Sequence, residues 1–268
     1  MLNTEKRNEK SMCLNQMDIK SQLELINNEN LNAVRAVAEE IGNIALAVEA
    51  VCKAFENGGR LVYIGAGTSG RIGVIDAAEC PPTFGVEYGK VIGIIAGGEA
   101  AMCKASESAE DNAEKGIEDV KQHNLSKNDV LVGISASGGA AYITSAIDYA
   151  NSIGCTTVGI TSNKGTKLSD IAKIAICPNT GAEVVTGSTR LKAGTAQKLI
   201  LNMISTLAFV RSDYVYENLM INLKPTNIKL KDRMVRIVCD ILKCDYKLSE
   251  SYLEQNNWSI PQVIKNCK

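Results

Sequence analysis

Residues 59–84 constrain the chain more than any other stretch: Gly-Arg-Leu-Val-Tyr-Ile-Gly-Ala-Gly-Thr-Ser-Gly-Arg-Ile-Gly-Val-Ile-Asp-Ala-Ala-Glu-Cys-Pro-Pro-Thr-Phe. A short apolar, β-branched run at 60–64 stops at a glycine, and helix formers follow from Ile72 to Ala78, which reads as strand, tight loop and helix. Gly65, Gly67 and Gly70 have the spacing in which missing side chains let backbone N–H groups close on an anion at the positive end of a helix. A dinucleotide loop would want an acidic residue about 20 positions on. The nearest, Glu99, is late, and Pro81 and Pro82 interrupt the way to it. No lysine follows the last glycine as a nucleotide P-loop requires. Thr68 and Ser69 add hydroxyl donors instead, so the expected ligand is a phosphomonoester such as a sugar phosphate.

Further strands are expected at 91–96, 129–134, 156–161 and 171–177, with helices at about 100–123, after residue 139 to about 152, and at 189–211. Strands alternating with helices imply right-handed crossovers and a doubly wound, mostly parallel α/β sheet with helices on both faces. The third strand is followed by Ser135-Ala-Ser137-Gly138-Gly139, a second loop of hydroxyls and glycines opening a helix. Ligands of such sheets bind beyond the carboxyl ends of the strands, so both loops can converge on one phosphate. Before this region, residues 1–30 read as a loose arm with a short helix, and 32–55 as one long amphipathic helix. After it, the chain turns basic and amide-rich, with short helices at 231–242 and 249–267. The expected division is an N-terminal arm and helix at 1–56, a phosphosugar-binding domain at 57–222 and a small helical C-terminal region at 223–268.

With 268 residues, 45% of them apolar, the chain buries one main core plus a small appendage. A net charge of -1 gives no electrostatic footprint for nucleic acid or an anionic membrane. Nine scattered cysteines, an odd number without a C-x-x-C pair, read as reduced thiols of a cytoplasmic protein. Residues 1–10 lack the apolar core of a signal peptide, and no run of about 18 apolar residues is present, so a soluble protein is expected.

Two carboxylates stand out. Glu79 comes just before Cys80-Pro81-Pro82, where the helix is expected to stop. A carboxylate at the negative end of a helix dipole favours its protonated form and suits a general acid; a solvated glutamate at a helix end is the competing reading. Glu110 lies among Glu107, Asp111, Glu114, Glu118 and Asp119 on a helix whose apolar stripe is Ala105, Ala109, Ala113, Ile117 and Val120. At helical pitch it borders the buried face, and both a solvated charge and a general base fit that place. Thr68, Ser69, Ser135 and Ser137 fit helix caps singly and a phosphate together. Glu183, Arg190 and Lys192 flank the start of the long helix, where surface charge and sugar contact both stay open. His123 at a helix end reads as structural, and Tyr63 as core.

Four separated segments, Ile64-Gly-Ala-Gly-Thr-Ser-Gly-Arg71, Asp76-Ala-Ala-Glu-Cys-Pro-Pro-Thr83, Ser106-Glu-Ser-Ala-Glu-Asp111 and 184–198, resemble those of the N-acetylmuramic acid 6-phosphate etherases, from near Thr4 to about Val238. The resemblance implies a sugar isomerase (SIS) domain, a homodimer, and cleavage of the D-lactyl ether to N-acetylglucosamine 6-phosphate and D-lactate without metal or other cofactor. It makes Glu79 the catalytic acid and Glu110 the base, with Gly67, Thr68, Ser69, Ser135, Ser137, Gly138, Glu183 and Lys192 as substrate contacts. The chain departs from the family pattern in three places. It has Gly139-Ala140-Ala141 where Arg-Thr-Pro is usual, Asn15 where aspartate is common, and a shorter tail. A phosphosugar-binding regulator and an aldose–ketose phosphosugar isomerase are the alternatives on the same fold. The first would carry a basic helix-turn-helix or a second SIS domain, and neither is visible.

Overall fold

The structure is a computed structural model and describes residues 1–104, 106 and 108–267. It divides into two units, Met1–Ala78 with Gly89–Ser205, and Glu79–Tyr88 with Thr206–Lys268.

The first unit is built on five parallel strands, β1 (Leu61–Gly65), β2 (Val91–Ile95), β3 (Val130–Ile134), β4 (Thr156–Ile160) and β5 (Ile174–Ile176), in the order β2-β1-β3-β4-β5. Every residue of β1 and β3 is buried, as the continuous apolar runs require of strands covered on both faces. Alternation assigns the faces. Val62, Ile64 and Leu131 join a core with Tyr142, Ile143 and Ile147, while Tyr63 points the other way and donates its hydroxyl to Asp76 at 2.8 Å. The arm is not loose. It forms single 3-10 turns at Asn3–Glu5, Glu9–Ser11 and Leu14–Gln16, buries Thr4, and is pinned by Asn163 to Thr4 and by Asn8 to Glu29 and Ala182.

The helix expected over 32–55 is two helices, α1 (Ile19–Ala38) and α2 (Ile41–Glu56). The break comes at Glu40, whose N–H reaches back only three residues to Val37 and whose buried carboxylate accepts from Asn43. In the next helix, α3 (Gly67–Phe84), the expected stop before Pro81 is also wrong: the helix runs through both prolines, and Gly85 N–H still bonds the Pro81 carbonyl at 2.9 Å. A proline's fixed φ is helical. What it removes is one N–H, here the donors to residues 77 and 78. Glu79 is therefore inside α3, and the dipole argument for its proton no longer holds.

The single helix expected at 100–123 is three pieces, α4 (Ala100–Cys103), a 3-10 turn at Ala109–Asp111 and α5 (Ala113–Gln122), the last capped by Asn112 and ending at His123. Ala105 and Glu107, placed on the expected helix, lie outside the described residues. Glu110 thus sits in a connecting turn and borders no helical face. The chain continues as α6 (Ala141–Ser152), α7 (Lys167–Ile171) and α8 (Lys192–Arg211). The sequence reading missed α7 by merging its end into the fifth strand.

The second unit begins in the last turns of α3 and resumes at the end of α8, where Phe84 and Phe209 stack at 4.5 Å. It adds an antiparallel hairpin, β6 (Val215–Tyr216) with β7 (Leu219–Met220), and α9 (Ile228–Leu242), α10 (Tyr246–Gln255) and α11 (Ile260–Cys267). Met234, Val235, Val238, Leu253, Ile260 and Val263 form its core.

Candidate functional site

Strand register decides where the loops fall. Gly65 is level with Ile95 on one side and Ile134 on the other, so the chain leaves three neighbouring strands at one edge of the sheet. At the first exit the turn is too tight for side chains. A Cβ on Gly65 would lie 2.7 Å from the Gly70 nitrogen, and one on Gly70 would lie 2.6 Å from the Gly65 oxygen. Gly67 opens α3 with φ +54, presenting first-turn amides beside half-buried Thr68 and buried Ser69. Such amides attract an anion.

The second loop is braced internally. Ser135 Oγ accepts from Gly138 N–H at 3.1 Å and lies 3.4 Å from Ser137 Oγ, which accepts from Gly139 N–H. Gly138 has φ +73, and a Cβ there would come within 2.2 Å of Thr166 Oγ1; its carbonyl accepts from Leu168 N–H at 3.0 Å. The loop therefore rests on the N-terminus of α7, with Thr166 as that helix's cap. Gly139 is exposed with open space around it.

A cavity of about 200 Å³ lies beside the first loop, lined by Ala66, Gly67, Arg71, Ala96, Ser106 and Glu110 among others. It brings the glycine loop and the exposed Glu110 together; Thr68, Ser69 and the second loop are not in its lining. Glu79 is exposed and belongs to the second unit. Arg71 is the residue the sequence reading missed. Its Nε donates to the Met102 carbonyl and its Nη2 to the Lys104 carbonyl, both at 3.1 Å. Backbone partners leave no mark in a sequence.

Glu183 and Lys192 are not surface charges. Glu183 is fully buried and caps α8 with both oxygens, accepting from Lys192 N–H at 3.1 Å and Ala193 N–H at 3.0 Å. Lys192, 2% exposed, donates from Nζ to Glu29 Oε2 at 2.7 Å and to the Ala182 carbonyl at 2.6 Å. Burial works against the charge on Glu29, yet hydrogen bonds from Lys192, Lys10 and Asn8 outweigh it and hold that carboxyl at about 2. The network fixes the first turn of α8, where a Cβ on Gly194 would lie 3.3 Å from Thr68 Cγ2. Both residues thus shape the site from behind Thr68. Among the described residues, no group of three or more His, Cys, Asp and Glu side chains is placed to hold a metal ion, and no helix is long and apolar enough to cross a membrane.

A five-stranded parallel sheet with glycine and hydroxyl loops opening helices at its carboxyl edge is the architecture of a sugar isomerase (SIS) domain protein, and similarity to known proteins places the chain in that class. The family model of the SIS domain matches residues 112–207, and that of the glucokinase regulatory protein N-terminal SIS domain matches residues 43–151. Among solved structures, a phosphoheptose isomerase from Neisseria gonorrhoeae has the same fold, with TM-score 0.54 and 17% identity over 71% of this chain and 99% of that one. The Vibrio vulnificus NanR protein complexed with ManNAc-6P follows at TM-score 0.52 and 15% identity, over 86% of this chain and 71% of that one. Closer in sequence are an N-acetylmuramic acid 6-phosphate etherase of Clostridium botulinum, 51% identical over 97% of this chain and 86% of the relative, and one of Francisella tularensis, 48% identical over 99% and 92%. The chain belongs to the N-acetylmuramic acid 6-phosphate etherase family. The similarity extends past Val238 to nearly the whole chain, so the second unit is part of it.

Proposed function

We propose that this protein removes the D-lactyl ether from N-acetylmuramic acid 6-phosphate, giving N-acetylglucosamine 6-phosphate and D-lactate. The observation that carries the reading is the shared cavity: the loop suited to a phosphate and an exposed carboxylate, Glu110, open onto one space. The identity of about half to etherases of that name supports the same substrate. In this reading the amides of Gly67, Thr68 and Ser69 and the loop of Ser135, Ser137 and Gly138 hold the 6-phosphate, while Glu183 and Lys192 support them through α8. Residues 57–222 supply the phosphosugar chemistry, flanked by 1–56 and 223–268, in a cytoplasmic homodimer.

The opened sugar has an aldehyde at C1, which makes the C2 proton acidic enough for Glu110 to remove. The C3–O bond then breaks as Glu79 protonates the leaving lactate oxygen. Water adds to C3 of the resulting enal and restores the hydroxyl. One ether bond is cleaved, one water is consumed and no oxidation state changes overall, so two carboxylates with separate roles suffice. The role of Glu79 rests on the Glu-Cys-Pro-Pro motif shared with the family.

The two carboxylates are separable by experiment. Glu79→Gln abolishes lactate release but still exchanges the C2 hydrogen with deuterated water, because the enolate forms even when the leaving group cannot depart. Glu110→Gln loses both activities, each by roughly 10²-fold to 10⁴-fold. Exchange lost in Glu79→Gln and kept in Glu110→Gln would reverse the roles.

A further inference from the structure

Glu110 stands in a single 3-10 turn, and among the described residues the nearest helix before it is α4. The chain reaches it from α4, a helix of four residues whose last carbonyls lack intrahelical partners. Arg71 satisfies one of these, that of Met102, together with the carbonyl of Lys104, the extended residue that caps the helix, and puts positive charge at the negative end of the helix. A rigid guanidinium fork suits two acceptors at once, which an ammonium does not. Two further features hold the segment. Ser106 packs on Gly97, where a Cβ would lie 2.8 Å from Ser106 Oγ, and Ser108 takes φ 66, a left-handed backbone that is costly for a residue with a side chain. At the far end, Asn112 caps α5 through Lys115 N–H and Ser145 Oγ bonds the Ala113 carbonyl at 2.7 Å.

The anchor of the clasp matters as much as its grip. Arg71 is one helical turn past Gly67 on α3, and helical side chains lean towards the N-terminus, so it lies over the turn that opens the glycine loop. It lines the same cavity as Gly67 and Glu110. We infer that Arg71 is a positioning residue: by tying the α4 carbonyls to α3, it sets the distance from the glycine loop to the carboxylate of Glu110. The inference rests on the etherase reading for what Glu110 does, and on the hydrogen bonds alone for the clasp.

The test compares Arg71→Met and Arg71→Lys with the wild type by lactate release, C2 hydrogen exchange and amide hydrogen exchange. Misplacing the base by about 1 Å costs up to about 100-fold, so kcat and the C2 exchange rate fall together by roughly 10- to 100-fold in both variants, while KM stays within a few-fold. Residues 100–112 gain amide exchange, and β1 and β3 do not. Because lysine keeps the charge but cannot bridge both carbonyls, it fails to rescue. Wild-type kcat in Arg71→Lys, or a raised KM with unchanged kcat, overturns the proposal and makes Arg71 a simple phosphate cation. If the wild-type protein releases no lactate, the etherase reading fails while amide exchange at 100–112 still decides the clasp.

Discussion

Ser69 and Ser137 are the hydroxyls on which the phosphate reading can be tested one atom at a time. Ser69→Ala and Ser137→Ala each remove a charge-assisted hydrogen bond, worth roughly 1.5 to 3 kcal/mol, and raise KM with little change in kcat. Gly139→Arg acts in the opposite direction. The position is exposed, its φ is not left-handed and a side chain there meets open space, so the guanidinium reaches solvent beside the loop without strain. Steady-state kinetics with the phosphosugar then give a lower KM, and an unaltered value makes the missing arginine neutral. Gly138, one residue earlier, has no such freedom, because Thr166 occupies the place of its Cβ. The glycine and hydroxyl loops were legible in the sequence because their chemistry is local. The burial of Lys192 was not, since its partner Glu29 lies 163 residues away.

The same distance between partners explains which elements could be read. β1 to β4 fall within a residue or so of their expected bounds, because each is an apolar run closed by a glycine or hydroxyl residue. The break between α1 and α2 leaves the apolar spacing intact and is made by backbone and side-chain bonds at Glu40, which spacing does not record. The prolines of α3 mislead in the other direction, since in a sequence a missing donor reads as a stop. The ion-paired link from α1 to α8 makes its own prediction. The Glu29 carboxyl sits at about 2 in the fold against an ordinary 4.5, so its contribution is complete above pH 4.5 and is lost as pH falls towards 2. Glu29→Gln leaves Lys192 buried beside a neutral group. It costs about 3 to 5 kcal/mol at pH 7 and flattens the loss of stability below pH 4.5, read from urea unfolding at pH 7 and pH 3. Equal pH dependence in both proteins would remove Glu29 from the acid response.

At the scale of the whole molecule, the length of α3 bears on the proposed homodimer. Glu79 stands twelve residues past Gly67 on one continuous helix, and we propose that the acid for a sugar held at Gly67 comes from the second copy. Mixing inactive Glu79→Gln and Glu110→Gln proteins and allowing subunits to exchange then restores roughly a quarter of wild-type activity, because half of the dimers are mixed and each mixed dimer carries one intact site of two. No recovery would place both carboxylates on one chain. The central claim is the reaction itself, and the direct measurement is incubation of the purified protein with N-acetylmuramic acid 6-phosphate followed by assay of D-lactate. Stoichiometric release of D-lactate with N-acetylglucosamine 6-phosphate, lost in Glu110→Gln, is the predicted result. Binding of the phosphosugar without lactate release, or conversion to a ketose phosphate with the ether intact, would contradict it.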